Sequence, residues 1–502
     1  MKKKYAILFV ALALLCALAL LSACQKEPGN PSESNTDVPG NGAGTSVATE
    51  TDSREEGSDT VPEETVPETV PETETETETE TETEIETETE TEPETEYDIT
   101  QPEVMCEMNQ SYYNVKDYGA VGDGLTDDTN SIKKCLLDAY YHSGVAYFPA
   151  GQYLVYETIT LPKDDSKVMK VIGDKGAVLI GDDTMEGPIL KVNMKYNFSM
   201  YNMEMEHRGQ GSCIDALYLW ARWCRFRADS ENASGTVVFH GSNCRVIECS
   251  FDVENPQVYC LSYIKTRDEI SINDHVVDNV FRGAAMGILV GDGDYPEDGR
   301  CEGLKINGNY FYNTGAEQIR VAEILHVNIA HNVLRNGEGI GIALTQAGHG
   351  ADGVYINDND IVMADSGLAC IATVEGGDNY ISSVNINNNR LVGGQYGVYD
   401  QVVITRAFIR ENRISGQSVA GYFIGRTGVR NMYGLFDNVI DEPEGILSIQ
   451  ITSRTRLISM ARNVVGPTNE YLTQQEEMFL AGCTTEKGEN LTRLDPSEQA
   501  EE

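Results

Sequence analysis

The stretch that decides the fold is "YNVKDYGAVGDGLTDDTNSIKKCLLDAYYHSGVAYFPAGQYLV", residues 113–155. Gly119, Gly122 and Gly124 mark a tight loop. Thr126 or Asp127 stands where a residue can cap a following helix. Ile132, Cys135, Leu136, Ala139 and Tyr140 then fall at i, i+3, i+4, i+7 and i+8, so one helical face is apolar, and Gly144 ends it. "VAYFPAGQYLV" (145–155) predicts two short strands around a Pro-Ala-Gly turn.

Toward the C-terminus a short phrase recurs: "DNVFRG", "GNYFYNTG", "HNVLRNGEG", "DNDIVMADSG", "NNRLVGG", "ENRISG", "DNVIDEPEG" and "RNVVGP". Its asparagines are Asn279, Asn309, Asn332, Asn359, Asn389, Asn412, Asn438 and Asn463, spaced by 30, 23, 27, 30, 23, 26 and 25 residues. Self-similarity at such a period indicates a solenoid. Each repeat holds β-rich runs broken by glycine, which suits three short strands per coil. Asparagine at one turn of every coil can hydrogen-bond along the axis. Backwards, Cys249, Cys224 and Asn202 keep the register at spacings of 30, 25 and 22, giving about eleven coils. A coil is thus an asparagine turn, a strand, a glycine turn, a strand, a variable loop and a strand. Cysteines in the asparagine register fit buried stacking.

The 113–155 stretch resembles the N-terminal signature of the pectate lyase superfamily, a "DYGAVGDGxTDDT" loop, a helix and a "YFPxGxY" strand pair. The resemblance implies an all-β fold, a right-handed parallel β-helix with the helix capping its first coil. It also implies that the chemistry sits in later coils, along the strand after the glycine turn and the loop that follows.

Residues 1–24 form a targeting segment: basic "MKKK", the apolar run "YAILFVALALLCALAL", then "LSAC". "LSAC" resembles the bacterial lipobox, which implies lipidation of Cys24 and an anchor in the outer face of a bacterial membrane. Residues 25–100 are a Glu/Thr-rich linker that cannot bury a core, a disordered stalk. At about 3.3 Å per residue it reaches roughly 240 Å at full stretch, enough to carry a domain through a cell-wall layer. The β-helix is expected over 101–466. Residues 467–502 leave the pattern, with "NEYLTQQEEMFLAG" as a C-terminal cap and the remainder disordered.

Net charge is −43, and the first hundred residues hold 25 of the 80 acids and 5 of the 37 bases, which leaves −23 for the remainder. An acidic domain excludes a broad nucleic-acid groove. Of 12 cysteines, ten follow Cys24 without C-x-x-C spacing. They read mostly as small buried side chains, implying a reducing or anaerobic habitat, with disulfides open as the alternative.

Alternation along "EQIRVAEI" (317–324) and "IGIALTQAGHG" (340–350) puts Ile319, Val321, Ile342 and Leu344 inward and Gln318, Arg320 and Thr345 outward. Glu323, Gln346, His349, Glu375 and Arg426 fall at strand ends or in following loops. Arg320, His349 and Glu375 lie on successive coils, about 4.8 Å apart, and with Glu323 are the candidate catalytic groups. Glycoside hydrolysis needs two carboxyls. A uronate lyase needs a base, such as arginine, and a cation or neutral acid to quiet the carboxylate. Arg320 has a second reading, an ion pair with Glu323 or a neighbour. His349 has one as a turn residue: its "GHG" resembles a polygalacturonase motif, whose accompanying "NTD", paired-aspartate and "RIK" motifs are absent at the matching coils.

Gln318, Gln346, Tyr399 and Arg426 are candidate substrate contacts, with Phe423 a further ring for stacking on sugars. Asp292 and Asp294 in "GDGDYPEDG" could bind calcium through oxygens, or form an exposed acidic turn. No organic cofactor is called for. The expectation is a monomeric, surface-anchored, carbohydrate-active protein that cleaves an extended polysaccharide, pectin-like or otherwise uronate-containing, by hydrolysis or β-elimination. The alternatives are a non-catalytic glycan-binding adhesin and a structural surface protein.

Overall fold

Three parallel sheets stack their strands coil upon coil along one axis. The structure, a computed structural model, describes residues 97–102, 111–164, 166–228, 237–264, 271–291, 301–313, 315–346, 350–375, 380–402, 404–425, 432–452, 457–471, 478–481 and 483–485. Among these the sheets hold 16, 15 and 13 strands. The first sheet carries the strand before each asparagine turn, the second the strand after it, and the third the strand after the glycine turn. In one coil these are His275–Val277, Val280–Arg282 and Met286–Val290. The fold is the right-handed parallel β-helix, the sense that parallel crossovers take. The eleven coils counted from Asn202 to Asn463 are present, with further rungs at both ends.

The asparagine turn explains the repeat. The residue before each ladder position is left-handed, as at Asp278 (φ 56°), His331 (φ 54°) and Glu411 (φ 56°). The turn aims the asparagine inward, and the amide closes a continuous ladder. Asn279 Nδ2 donates to Asn309 Oδ1 at 2.9 Å, and Asn309 repeats this with Asn332 at 2.9 Å. The chain of amides runs to Asn463. Cys249 joins at the top, its backbone N donating to Asn279 Oδ1 at 2.9 Å. Eight described cysteines, Cys224 and Cys249 included, are buried and free.

Inside the second sheet Phe226, Phe251, Phe281 and Phe311 stack at centroid spacings of 5.2, 4.8 and 4.6 Å. Each such pair contributes about 0.5–1.5 kcal/mol beyond its area burial. Helix α1 (Thr129–Tyr141) packs on the first strands through the expected face, Ile132, Cys135, Leu136, Ala139 and Tyr140, all buried. Its N-terminal boundary is Asp128, not Thr126 or Asp127. The Asp128 carboxylate accepts from Val121 N (2.7 Å) and Gly122 N (2.9 Å), tying down the glycine loop, while Asp127 takes Thr129 N at 2.9 Å.

The C-terminal end departs from the expected cap. Asn469–Tyr471, Met478–Ala481 and Thr484–Thr485 pair in parallel with the preceding strands and add another rung. Cys483 takes the ladder position there, where Asn463 Nδ2 reaches its Sγ at 3.6 Å.

Candidate functional site

The third sheet turns two columns of side chains outward. One runs Glu317, Ile340, Ala369, Tyr396, Ala420 and Leu447. The other includes Ser262, Leu289, Arg320, Ala343, Ala372, Tyr399 and Phe423. Between them simple alternation fails. Gln318 shares its place with Gly287, Gly341, Cys370, Gly397 and Gly421, and these face the interior. A Cβ on Gly341 would meet Ile361 at 3.1 Å and one on Gly287 would meet Phe311 at 3.0 Å. Two consecutive residues, 318 and 319, therefore point inward. Gln318 is fully buried and donates to Asn313 O (3.0 Å) and Arg335 O (3.1 Å), which overturns its expected substrate contact. Glu323 and Thr345 are also corrected: both are buried, Glu323 packed beneath Gly291. Gln346 is buried and Glu375 exposed at the strand end. His349, Arg426, Asp292, Asp294 and Cys24 lie outside the described residues.

Arg320 is outward as expected, but its partner is Glu317, one strand turn back on the same face. The guanidinium Nη1 stands 2.6 Å from Glu317 Oε1. Tyr259, two coils earlier, donates to Glu317 Oε2 at 2.8 Å. Burial pushes the Tyr259 hydroxyl well above its usual range, Glu317 adds to this and Arg320 opposes it. The phenol thus stays protonated. One coil beyond Arg320 its column holds Ala343, then Ala372. These small residues, with Ile340 and Ala369, form a second apolar cluster apart from the core, against which Tyr396 and Tyr399 pack. Tyr396 and Tyr399 stack at 4.2 Å, and Phe423 lies 5.1 Å from Tyr399. Gln401 donates to the Tyr399 hydroxyl. Behind this aromatic platform, Asp400 points inward and accepts from Tyr433 (2.6 Å) and Thr373 (2.9 Å).

A second polar group, missed from the sequence, occupies the same outward column toward the N-terminus. Asp215 lies 3.5 Å from Lys191 Nζ, and the His240 ring meets Asp215 Oδ1 at 3.0 Å and Ile264 O at 2.7 Å. Both ring nitrogens face oxygens. The His240 hydrogen bond draws the Asp215 carboxyl below its usual range against burial, helped by the charges of His240 and Lys191. Asp215 stands 13 residues past Asn202 while Arg320 stands 11 past Asn309, so coil counting alone does not place Asp215 on the Arg320 column. Tyr259 and Glu317 needed the break in alternation at Gln318 and Ile319, which no local pattern announces.

The outward third sheet is thus a line of Lys191–Asp215–His240, then Tyr259–Glu317–Arg320, then the aromatic platform. At about 4.8 Å per coil, Arg320 and Tyr399 stand roughly 14 Å apart along the axis. Such a line suits an extended, ring-bearing, charged ligand.

Several known proteins are similar to this chain. The chain is 52% identical over 44 residues to mannuronan C5-epimerase AlgE5 of Azotobacter vinelandii, a match over 9% of this chain and 4% of that one. It is 27% identical over 177 residues to a glucan 1,3-beta-glucosidase of Cochliobolus carbonum, 33% of this chain and 22% of that one. The chain therefore spans under a quarter of the length of these curated relatives. Among solved structures, the A-module of mannuronan C-5 epimerase AlgE6 of A. vinelandii aligns over 74% of this chain and 99% of its own, at 15% identity and a TM-score of 0.43. Residues 112–394 match the family described as rhamnogalacturonase A/epimerase, pectate lyase-like, and the chain belongs to it.

Proposed function

We propose that this protein is a carbohydrate-active β-helix, anchored at the cell surface through Cys24 and its stalk, that binds an extended uronate-containing polysaccharide along the outward third sheet and cleaves it. The observation that carries the reading is the Tyr259–Glu317–Arg320 cluster on the same face as the Tyr396, Tyr399 and Phe423 rings. Family membership supports a carbohydrate substrate.

One carboxylate beside an outward arginine favours β-elimination over hydrolysis, which needs a carboxyl pair about 5–9 Å apart. Arg320 neutralises the uronate carboxylate. Glu317 takes the C5 proton, the C4–O bond breaks as the C4–C5 double bond forms, and Tyr259 gives its proton to the departing oxygen. Proton transfer from Glu317 back to Tyr259 across their hydrogen bond restores the site. A non-catalytic glycan binder is the second reading, favoured by one fact: Glu317 is buried and already accepts from both neighbours.

The test is incubation with polygalacturonate, alginate and neutral glycans, reading new reducing ends and ultraviolet absorbance of an unsaturated uronate. Both signals, lost by at least about 100-fold in Glu317→Gln, are expected. Reducing ends without absorbance mean hydrolysis. Binding with neither signal leaves the adhesin reading.

A further inference from the structure

The second sheet has an outward face of its own, and part of it is already occupied by this chain. Residues 97–102 run along it as a strap. The Tyr97 ring stacks on Tyr310 at 4.4 Å, and its backbone N donates to the Tyr312 hydroxyl at 3.1 Å. Arg282 Nη2 donates to Tyr97 O at 2.7 Å. The Asp98 carboxylate lies 3.0 Å from Arg225 and 3.5 Å from Arg282. Ile99 is buried, and Asn202 holds Pro102 O at 3.0 Å. This face therefore accepts an extended chain that offers a ring, a carboxylate and hydrogen-bonding groups at coil spacing.

Where the strap enters, the same face continues as an open groove of about 650 Å³ bordered by Arg282, Tyr312, Arg335, Asn336 and Arg390. That volume is in the range of small-ligand sites. Three of those groups are arginines, in a domain whose net charge is strongly negative. Arg335 and Arg390 share a single carboxylate, Asp360, each at 2.7 Å. Arg335 is locked in place by further bonds to Leu334 O (3.2 Å) and Asp360 O (3.0 Å), while the Arg390 side chain is 54% exposed. A fixed guanidinium beside a reachable one, next to a tyrosine, is the donor set that recognises carboxylates on rings.

We propose that this groove is a second glycan-binding site, taking the carboxylate-bearing sugars of an acidic polysaccharide in line with the strap. The choice of a uronate as ligand rests on the function proposed above; the groove itself does not. It lies on a different sheet from the cleaving cluster and would hold the polymer while the third sheet works on it. Effective concentration then raises overall affinity without any new contact at the third sheet.

The test is calorimetric titration of the full chain with a polygalacturonate oligomer, at low and high salt. Two classes of site are expected in the native protein. Arg390→Glu should weaken one class at least tenfold and spare the other, Arg390→Lys should weaken it less, and Tyr399→Ala should act on the other class alone. The Arg390-dependent class should also fall with salt, as exposed charge pairs do. If Arg390→Glu and Arg390→Lys both leave two intact classes, the groove is no glycan site and the third-sheet reading stands. If the native protein shows the Arg390-dependent class alone and Tyr399→Ala leaves it unchanged, the groove stands and the third-sheet reading fails. If Glu94→Gln with Glu96→Gln in the stalk tightens the Arg390-dependent class tenfold, the stalk's own carboxylates are the occupant and the glycan assignment is overturned.

Discussion

Asn332→Ala tests whether the ladder or the sheets hold the coils in register. The Asn332 side chain makes four hydrogen bonds: Oδ1 accepts from Asn309 N and Asn309 Nδ2, both at 2.9 Å, and Nδ2 donates to Ile306 O (3.0 Å) and Asn359 Oδ1 (2.9 Å). Alanine removes all four. Asn309 Nδ2 keeps Val276 O, and Asn359 Oδ1 keeps Asn332 N, so two of the deserted groups retain a partner. The Asn309 amide N–H does not keep this acceptor. At about 1 kcal/mol net per buried bond, with part of the loss offset by the retained partners, the cost is about 2–4 kcal/mol. Asn332→Cys should cost less, because thiols already fill the same column at Cys224 and Cys249. Thermal unfolding should fall by several degrees, and hydrogen exchange should show faster exchange at the Asn309 amide. If the midpoint moved by less than about 1 °C with Asn309 protection unchanged, the sheet bonds alone would carry the stack and the ladder argument would be wrong.

Two further predictions concern charge. Burial raises the Asp400 carboxyl to about 7, against hydrogen bonds from Tyr433 and Thr373 that lower it, and burial likewise raises Glu442 to about 7. The folded state then keeps protons that the unfolded chain, with carboxyls near 4, has lost, so stability is full below about pH 4 and declines as pH rises through 7. The Asp400 contribution is roughly 4 kcal/mol, and Asp400→Asn should flatten the dependence and raise stability at pH 8; denaturant unfolding at pH 5 and 8 checks this, and a native protein no less stable at pH 8 would sink it. Arg320→Ala should lower kcat/KM on a uronate polymer about 100-fold or more, with Arg320→Lys intermediate because it keeps the charge and loses the planar fork; an unchanged rate in Arg320→Ala would remove Arg320 from the reaction.

Much of the fold was legible because its determinants are local and periodic. The α1 face, from Ile132 to Tyr140, follows from helical spacing alone. The asparagine turns repeat because each coil must satisfy the same inward backbone groups, so Asn279 to Asn463 announce the solenoid without any long-range knowledge. The site was legible only in part. Arg320 falls outward by alternation, but Gln318 beside it falls inward, because the corner between the second and third sheets uses two consecutive inward residues. Glu323 was a reasonable partner for Arg320 by sequence distance, yet it packs under Gly291 while Glu317 turns to the same face as Arg320.

The sequence alone carries the all-β solenoid, its coil unit and the buried role of its cysteines. Those follow from period, turn chemistry and hydrophobic alternation, each written within some thirty residues. Only the tertiary structure decided which side chains meet. Tyr259 reaches Glu317 across 58 residues, Asp215 meets His240 across 25, and the strap's Tyr97 meets Tyr310 and Tyr312 across more than two hundred. Coil stacking brings residues one or more periods apart to within a hydrogen bond. Which pairs result depends on the length of every intervening loop and on where two consecutive residues turn inward, and neither leaves a mark in the local pattern.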